Sequence, residues 1–147
     1  MTIQKYAATA IEKSAEDLIQ VALALPEDKR EWQPLEKGRS ALSQLAECAT
    51  MNTLAAKIVR AGAYQESLMA EWGELLPTLN TPDKAIAKLR EGADALASAV
   101  RASPEADLGN EIRLPWATVT LAQFFLMPLW NMSYHEGQIT YIRTLLV

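Results

Sequence analysis

Apolar residues recur along the chain at steps of three and four, the period of a helix that buries one face. A first helix is predicted from about Ile3 to Leu25. Its stripe is Ala7, Ile11, Leu18, Val21 or Ala22, and Leu25, and it stops at Pro26-Glu27-Asp28. A polar connection, Lys29 to Arg39, carries Trp32, Pro34 and Gly38. Ser40 is placed to cap a second helix over about Ala41 to Arg60, with Leu42, Leu45, Ala49, Ala56 and Val59 inward and Met51, Leu54 and Ile58 flanking them. Ala61-Gly62 ends it. Residues 63–80 allow either a short helix through Leu68, Met69, Trp72, Leu75 and Leu76 or a loop lining a groove.

Thr81-Pro82 opens a third long helix with the N-cap and the N1 proline in their preferred places. Ile86, Leu89, Ala93, Leu96 and Val100 form its stripe, and Ser103-Pro104 breaks it. Asp107 to Pro115 reads as a connection. Thr120 with Gln123 three residues later resembles a capping box, and the fourth long helix then runs to about Leu145 with a kink expected at Pro128. The β-branched alternation of strands is almost absent. Four long amphipathic helices in one stretch of 1–147, with no repeat and no second hydrophobic unit, predict a single all-α domain, a four-helix bundle.

Composition narrows the chemistry. Of the 147 residues 50% are hydrophobic, too many for a disordered chain, and the net charge of −4 argues against nucleic acid or an anionic membrane surface as partner. One Cys excludes an internal disulfide and a Cys-rich zinc module. One His excludes HExxH, a three-His zinc site and a two-His-one-carboxylate iron site within one chain. Met1 to Tyr6 has no basic-then-apolar leader pattern, and the most apolar stretch, Leu114 to Trp130, is interrupted by Pro115 and Pro128 and short of the ~20 residues of a membrane span. The cytoplasm is the expected compartment.

The lone histidine lies on an inward stripe. Pro128, Met132, His135, Ile139, Ile142 and Leu146 follow at steps of four, three, four, three and four, with Asn131 and Gln138 on one flank of it. An imidazole in an apolar wall needs a partner for each ring nitrogen. Two readings follow: a structural histidine satisfied by neighbouring polar groups, or a metal or acid–base site with ligands from facing helices. Glu47, within the otherwise apolar Leu45-Ala46-Glu47-Cys48-Ala49, is the facing candidate, and Asn52 is a second polar residue on that helix.

These segments together are similar to a known family. Trp32-x-Pro34, Arg39-Ser40, Leu45-Ala46-Glu47-Cys48-Ala49 and Tyr134-His135-Glu136-Gly137-Gln138-Ile139 resemble, in order and over essentially the whole chain, the DinB/YfiT-like superfamily. The resemblance implies an up-down-down-up four-helix bundle with a long crossover connection, often dimeric through helix faces. It implies three histidines around a divalent metal, with relatives acting as transferases or isomerases that use a low-molecular-weight thiol, or as hydrolases. Carried over to this sequence, the metal positions fall on Glu47, Asn131 and His135, so that two of three imidazoles are replaced. An Asn oxygen suits Mg or Mn better than zinc. The implied cofactor is one divalent metal, Zn, Ni or Mn, with Gln138, and Tyr134 if its hydroxyl points inward, orienting His135. Without a metal, Glu47 and His135 would form a hydrogen-bonded acid–base pair.

The remaining features are read against bland alternatives. Cys48, with no basic neighbour in sequence, is expected to be a buried, inert thiol. Trp32, Trp72, Trp116 and Trp130 are expected as core or loop anchors, with Trp72 and Trp116 able to wall a pocket. Arg39 suits a surface salt bridge or an anionic ligand. Two functions remain open from sequence. One is a metal- and thiol-dependent transferase or hydrolase with a variant Glu/Asn/His site. The other is a catalytically silent homodimeric bundle that binds a small apolar ligand or acts as an interaction module.

Overall fold

Local capping chemistry sets where each helix begins. In the computed structural model, which describes residues 1–146, α1 spans Ile3–Leu23, α2 Ala41–Ala61, α3 Ser67–Leu75, α4 Pro82–Ala102, α5 Leu121–Phe124 and α6 Leu126–Leu145. Thr2, Ser40, Thr81 and Thr120 each accept a hydrogen bond from a backbone N–H three residues on, satisfying one donor the helix cannot. At Thr120 the box is complete, since Gln123 returns a bond to the Thr120 backbone. Gly62, with φ 65°, ends α2 in the left-handed conformation.

Side-chain contacts fix the directions of the four long helices. Gln4 reaches the Ser103 carbonyl and Glu16 pairs with Arg90, so α1 and α4 are antiparallel. Thr53 lies against Gly92 and Arg60 against Ala95, so α2 and α4 run parallel. Gln44 meets His135 and Cys48 meets Asn131, which makes α6 antiparallel to α2. The order is therefore up-down-down-up, the four-helix arrangement expected. Parallel neighbours cannot be joined by a tight turn, and residues 62–81 provide the crossover from α2 to α4. That segment holds α3 and a 3₁₀ turn at Leu76–Thr78, so it is both the short helix and the groove wall that the sequence left as alternatives.

Two details differ from the sequence reading. The segment after α4 is not a plain connection: Glu111–Arg113 (β1) pairs antiparallel with Thr118–Thr120 (β2), Ile112 opposite Val119. Three-residue strands with one buried side chain, Ile112, carry too little alternation to register as a strand signal. The break in the last helix falls at Phe125, three residues before Pro128. Pro128 has no N–H for the Phe124 carbonyl and its ring crowds that same group, so the disturbance lies one turn upstream of the proline itself. Among the described residues no helix is long and apolar enough to cross a membrane.

The core is built from the predicted stripes, but alanine governs how closely they approach. Ala46, Ala49, Ala55 and Ala56 on α2 and Ala93 and Ala97 on α4 are all buried. At the tightest point a Cβ on Gly92 would stand 2.8 Å from Thr53 Oγ1 and 3.2 Å from the Ala49 carbonyl oxygen. Gly137, on α6, has nothing among the described residues within 4 Å of its would-be Cβ. Gly92→Ala is expected to destabilise by about 1–3 kcal/mol through overpacking. Gly137→Ala is expected to stabilise by about 0.5–1 kcal/mol through helix propensity. Chemical denaturation of the two variants checks both signs.

Candidate functional site

The seam between α2 and α6 concentrates the polar residues of the core. His135 is 2% exposed and Gln44 equally buried, while the Glu47 side chain keeps 26% of its surface. Gln44 and Glu47, three residues apart, project from one face of α2 towards His135 on α6.

Each bond in the cluster has an assignable direction. The Gln44 side-chain N–H donates to the Arg39 carbonyl at 3.3 Å, which turns Gln44 Oε1 towards His135 Nδ1 at 2.7 Å. Nδ1 therefore carries a proton. The other ring nitrogen, Nε2, contacts Glu47 Oε2 directly. Each ring nitrogen thus has a partner on α2. Asn131 donates from Nδ2 to the same Glu47 oxygen at 3.3 Å, and its own Oδ1 accepts from the Cys48 thiol at 3.3 Å. Glu47 Oε1 takes Arg39 Nη1 at 3.0 Å. Arg39 is itself anchored on the Ser43 hydroxyl and carbonyl, one turn into α2.

The loop before α2 is shaped to deliver that guanidinium. Leu35 has φ 59°, a left-handed conformation costly for a leucine, and it is 86% exposed. A Cβ on Gly38 would lie 1.9 Å from the Pro34 carbonyl oxygen, so only glycine passes there.

Electrostatics follow from the geometry. The hydrogen bond from His135 holds the Glu47 carboxyl down at about 2, with Asn131 and Arg39 adding to it and outweighing partial burial. Burial pushes the Cys48 thiol far up, and the Glu47 charge beside it adds to the effect. Cys48 therefore stays protonated and fits the inert role expected of it.

The three residues expected as metal ligands, Glu47, Asn131 and His135, are brought together, but as hydrogen-bond partners. Among the described residues no group of three His, Cys, Asp or Glu could hold a metal. Asn131 turns its amide N–H₂ to Glu47 and its oxygen to Cys48, so only two donors converge. Each of those already holds a proton donor or its partner. This donor set does not fit a divalent transition metal.

The bond to His135 Nδ1 comes from Gln44, and Gln138, expected to orient His135 or to line a pocket, lines a neighbouring cleft of about 570 Å³ with Lys37, Arg39, Gln44, Tyr134 and Tyr141. Tyr134 is 62% exposed and sets its ring edge-on to the imidazole, centroids 5.3 Å apart. Trp130, expected as an anchor, is 79% exposed. Asn52 is fully buried, donating to Met132 Sδ at 3.3 Å, and its oxygen has no partner among the described residues. Trp116 lies at the hairpin and, with Trp72, walls an apolar groove on the other side of the site. The sequence reading missed Gln44. Its signal was a polar residue one turn before Glu47 and beside Leu45 and Ala46.

Comparison with known proteins adds context. The family model of the DinB superfamily matches residues 10–139. No curated protein matches by sequence. Among solved structures, a protein from Streptococcus pneumoniae is similar with TM-score 0.75 and 18% identity, over 100% of this chain and 93% of that one. An uncharacterised protein from Clostridium difficile 630 has TM-score 0.73 and 16% identity, over 98% and 97%. A mycothiol-dependent maleylpyruvate isomerase has TM-score 0.70 and 14% identity, over 95% of this chain and 63% of that one. At these identities the likeness is one of fold.

The lowered Glu47 carboxyl makes stability depend on acid. Because Glu47 titrates near 2 when folded and near its ordinary 4.5 when unfolded, the unfolded chain takes up the proton first as pH falls. The Glu47 contribution is expected in full above about pH 4.5 and to fade as pH drops towards 2. Denaturant midpoints should therefore separate wild type from Glu47→Gln near neutrality and converge at low pH.

Proposed function

The chain belongs to the DinB superfamily, and from that membership we propose that it is a small-molecule-binding bundle whose Glu47–His135 ion pair stands where a metal centre would otherwise sit. The observation that carries this reading is the filled valence of the site. Both His135 nitrogens and both Glu47 oxygens are engaged within the protein. A carboxyl held near 2 is a weak base at neutral pH, and the Cys48 thiol is held protonated, so neither group is primed for nucleophilic or base chemistry. Beside the pair lie a larger cleft, apolar over most of its wall but edged by Lys37, Arg39, Gln44 and Gln138, and a smaller apolar groove, the features of a binding site.

The second reading is a metal- and thiol-dependent transferase or hydrolase, and one observation favours it. With Nδ1 bound to Gln44, His135 holds the tautomer that would leave Nε2 as a ligand beside Glu47, were its second proton displaced. The fold likeness to a mycothiol-dependent isomerase points the same way. Metal analysis of untagged protein, followed by titration with Zn, Ni and Mn, separates the two. The binding reading expects no stoichiometric metal and no saturable uptake. Stoichiometric metal that is lost in both Glu47→Ala and His135→Ala would overturn it.

We propose a second copy of this chain as the partner of the outer face of α6. Leu126, Trp130, Tyr134, Tyr141 and Leu145 are 46–79% exposed along this one helix. With 150–250 Å² for each aromatic side chain, the exposed parts of the three aromatics alone present roughly 400 Å². That is about half of the ~800 Å² each partner contributes to a standard interface, before the leucines are counted. A stripe on one helix meets its own copy across a two-fold axis. Sedimentation analysis is expected to show a dimer, and Trp130→Glu a monomer. A wild-type protein that stays monomeric at all concentrations would overturn the assignment.

A further inference from the structure

The groove beside the site is almost wholly apolar, formed by Met51, Leu54 and Ile58 of α2, Trp72 of α3, Met127 of α6 and Tyr64 of the crossover. One polar atom breaks the pattern. The Tyr64 hydroxyl is buried and has no hydrogen-bond partner among the described residues. Gly62 turns the chain out of α2 in left-handed backbone, and Tyr64 two residues on becomes part of the groove wall. A buried hydroxyl without a partner is a cost the fold could remove with phenylalanine.

The space inside the groove is about 70 Å³, well below the roughly 150 Å³ of an apolar cavity that holds benzene. Its walls can yield, however. Met51, Met69 and Met127 line it, unbranched side chains that re-pack at little cost, and Met69 is 62% exposed. We propose that this groove takes a compact apolar ring bearing one hydrogen-bond acceptor, and that the Tyr64 hydroxyl donates to that acceptor once the methionines move aside. This rests on the small-molecule reading above and adds the chemical class of the ligand.

A matched pair of probes tests it: acetophenone, and α-methylstyrene, which has nearly the same shape but a methylene in place of the carbonyl oxygen. Isotope-labelled methionine methyl groups report by NMR, because three of the five methionines line the groove while Met1 and Met132 do not. Acetophenone is expected to shift Met51, Met69 and Met127 and to bind roughly three- to tenfold more tightly than α-methylstyrene, the range of one net hydrogen bond. Tyr64→Phe is expected to abolish that preference while raising the melting temperature of the unliganded protein. Tyr6→Phe, which removes an exposed hydroxyl on α1, should do neither. Equal binding of the two probes to wild type overturns the acceptor role and leaves the small-molecule reading standing. No shift of the three methionines with either probe overturns the groove as a ligand site, while the small-molecule reading then rests on the cleft lined by Gln138 and Tyr134.

Discussion

The hydrogen-bonded pair of Glu47 and His135 is the constraint around which the α2–α6 seam is arranged. A histidine ring in an apolar core loses its hydration, and only a hydrogen-bond partner at each ring nitrogen offsets that loss. The chain supplies both from one face of α2, with Gln44 at one ring nitrogen and Glu47 at the other. Because those residues sit one turn apart, the pair also fixes how α6 slides along α2. The loop before α2 serves the same end, since Leu35 and Gly38 take demanding backbone paths and Arg39 arrives within 3.0 Å of the second carboxylate oxygen.

The α2–α4 side of the bundle is held in a different way. Here the contact is backbone-close and apolar, made possible by buried alanines and by Gly92 against Thr53. Shape complementarity governs this pair, whereas directional bonds govern α2 against α6. The two modes meet on α2, whose one side carries small residues for α4 and whose other carries Gln44, Glu47 and Asn52 for α6. That division explains why α2 has polar residues in an interior position without loss of the bundle. Packing on one flank leaves the other free for chemistry.

Much of this was legible in the sequence. Steps of three and four gave the four long helices, and Ser40, Thr81 and Thr120 marked their starts because a hydroxyl before an amphipathic run has a local task. His135 stood out because its neighbours on the stripe are apolar. The orientation of side chains was not legible. Gln138 and Gln44 are equally plausible partners by type, and only the antiparallel packing of α6 on α2 decides between them. The hairpin was hidden because three-residue strands have no period to read. The outward turn of Trp130 and Tyr134 was hidden because a helix face with aromatics looks like a core face until the bundle is closed.

The residue types at the site are mutually dependent. A metal centre asks for unprotonated donors and repels additional cations. In this chain one carboxylate already holds the His135 ring, the Arg39 guanidinium and an amide that offers it N–H. Each of these favours the ionised carboxylate, and together they hold it near 2. A divalent ion entering the seam would have to part His135 and the Asn131 amide from Glu47, and then sit beside the Arg39 guanidinium. The bonds that join Glu47 to His135, Asn131 and Arg39 therefore compete with a metal for the same atoms. The scarcity of histidine in the sequence and the saturation of the site in the fold are one fact seen at two levels.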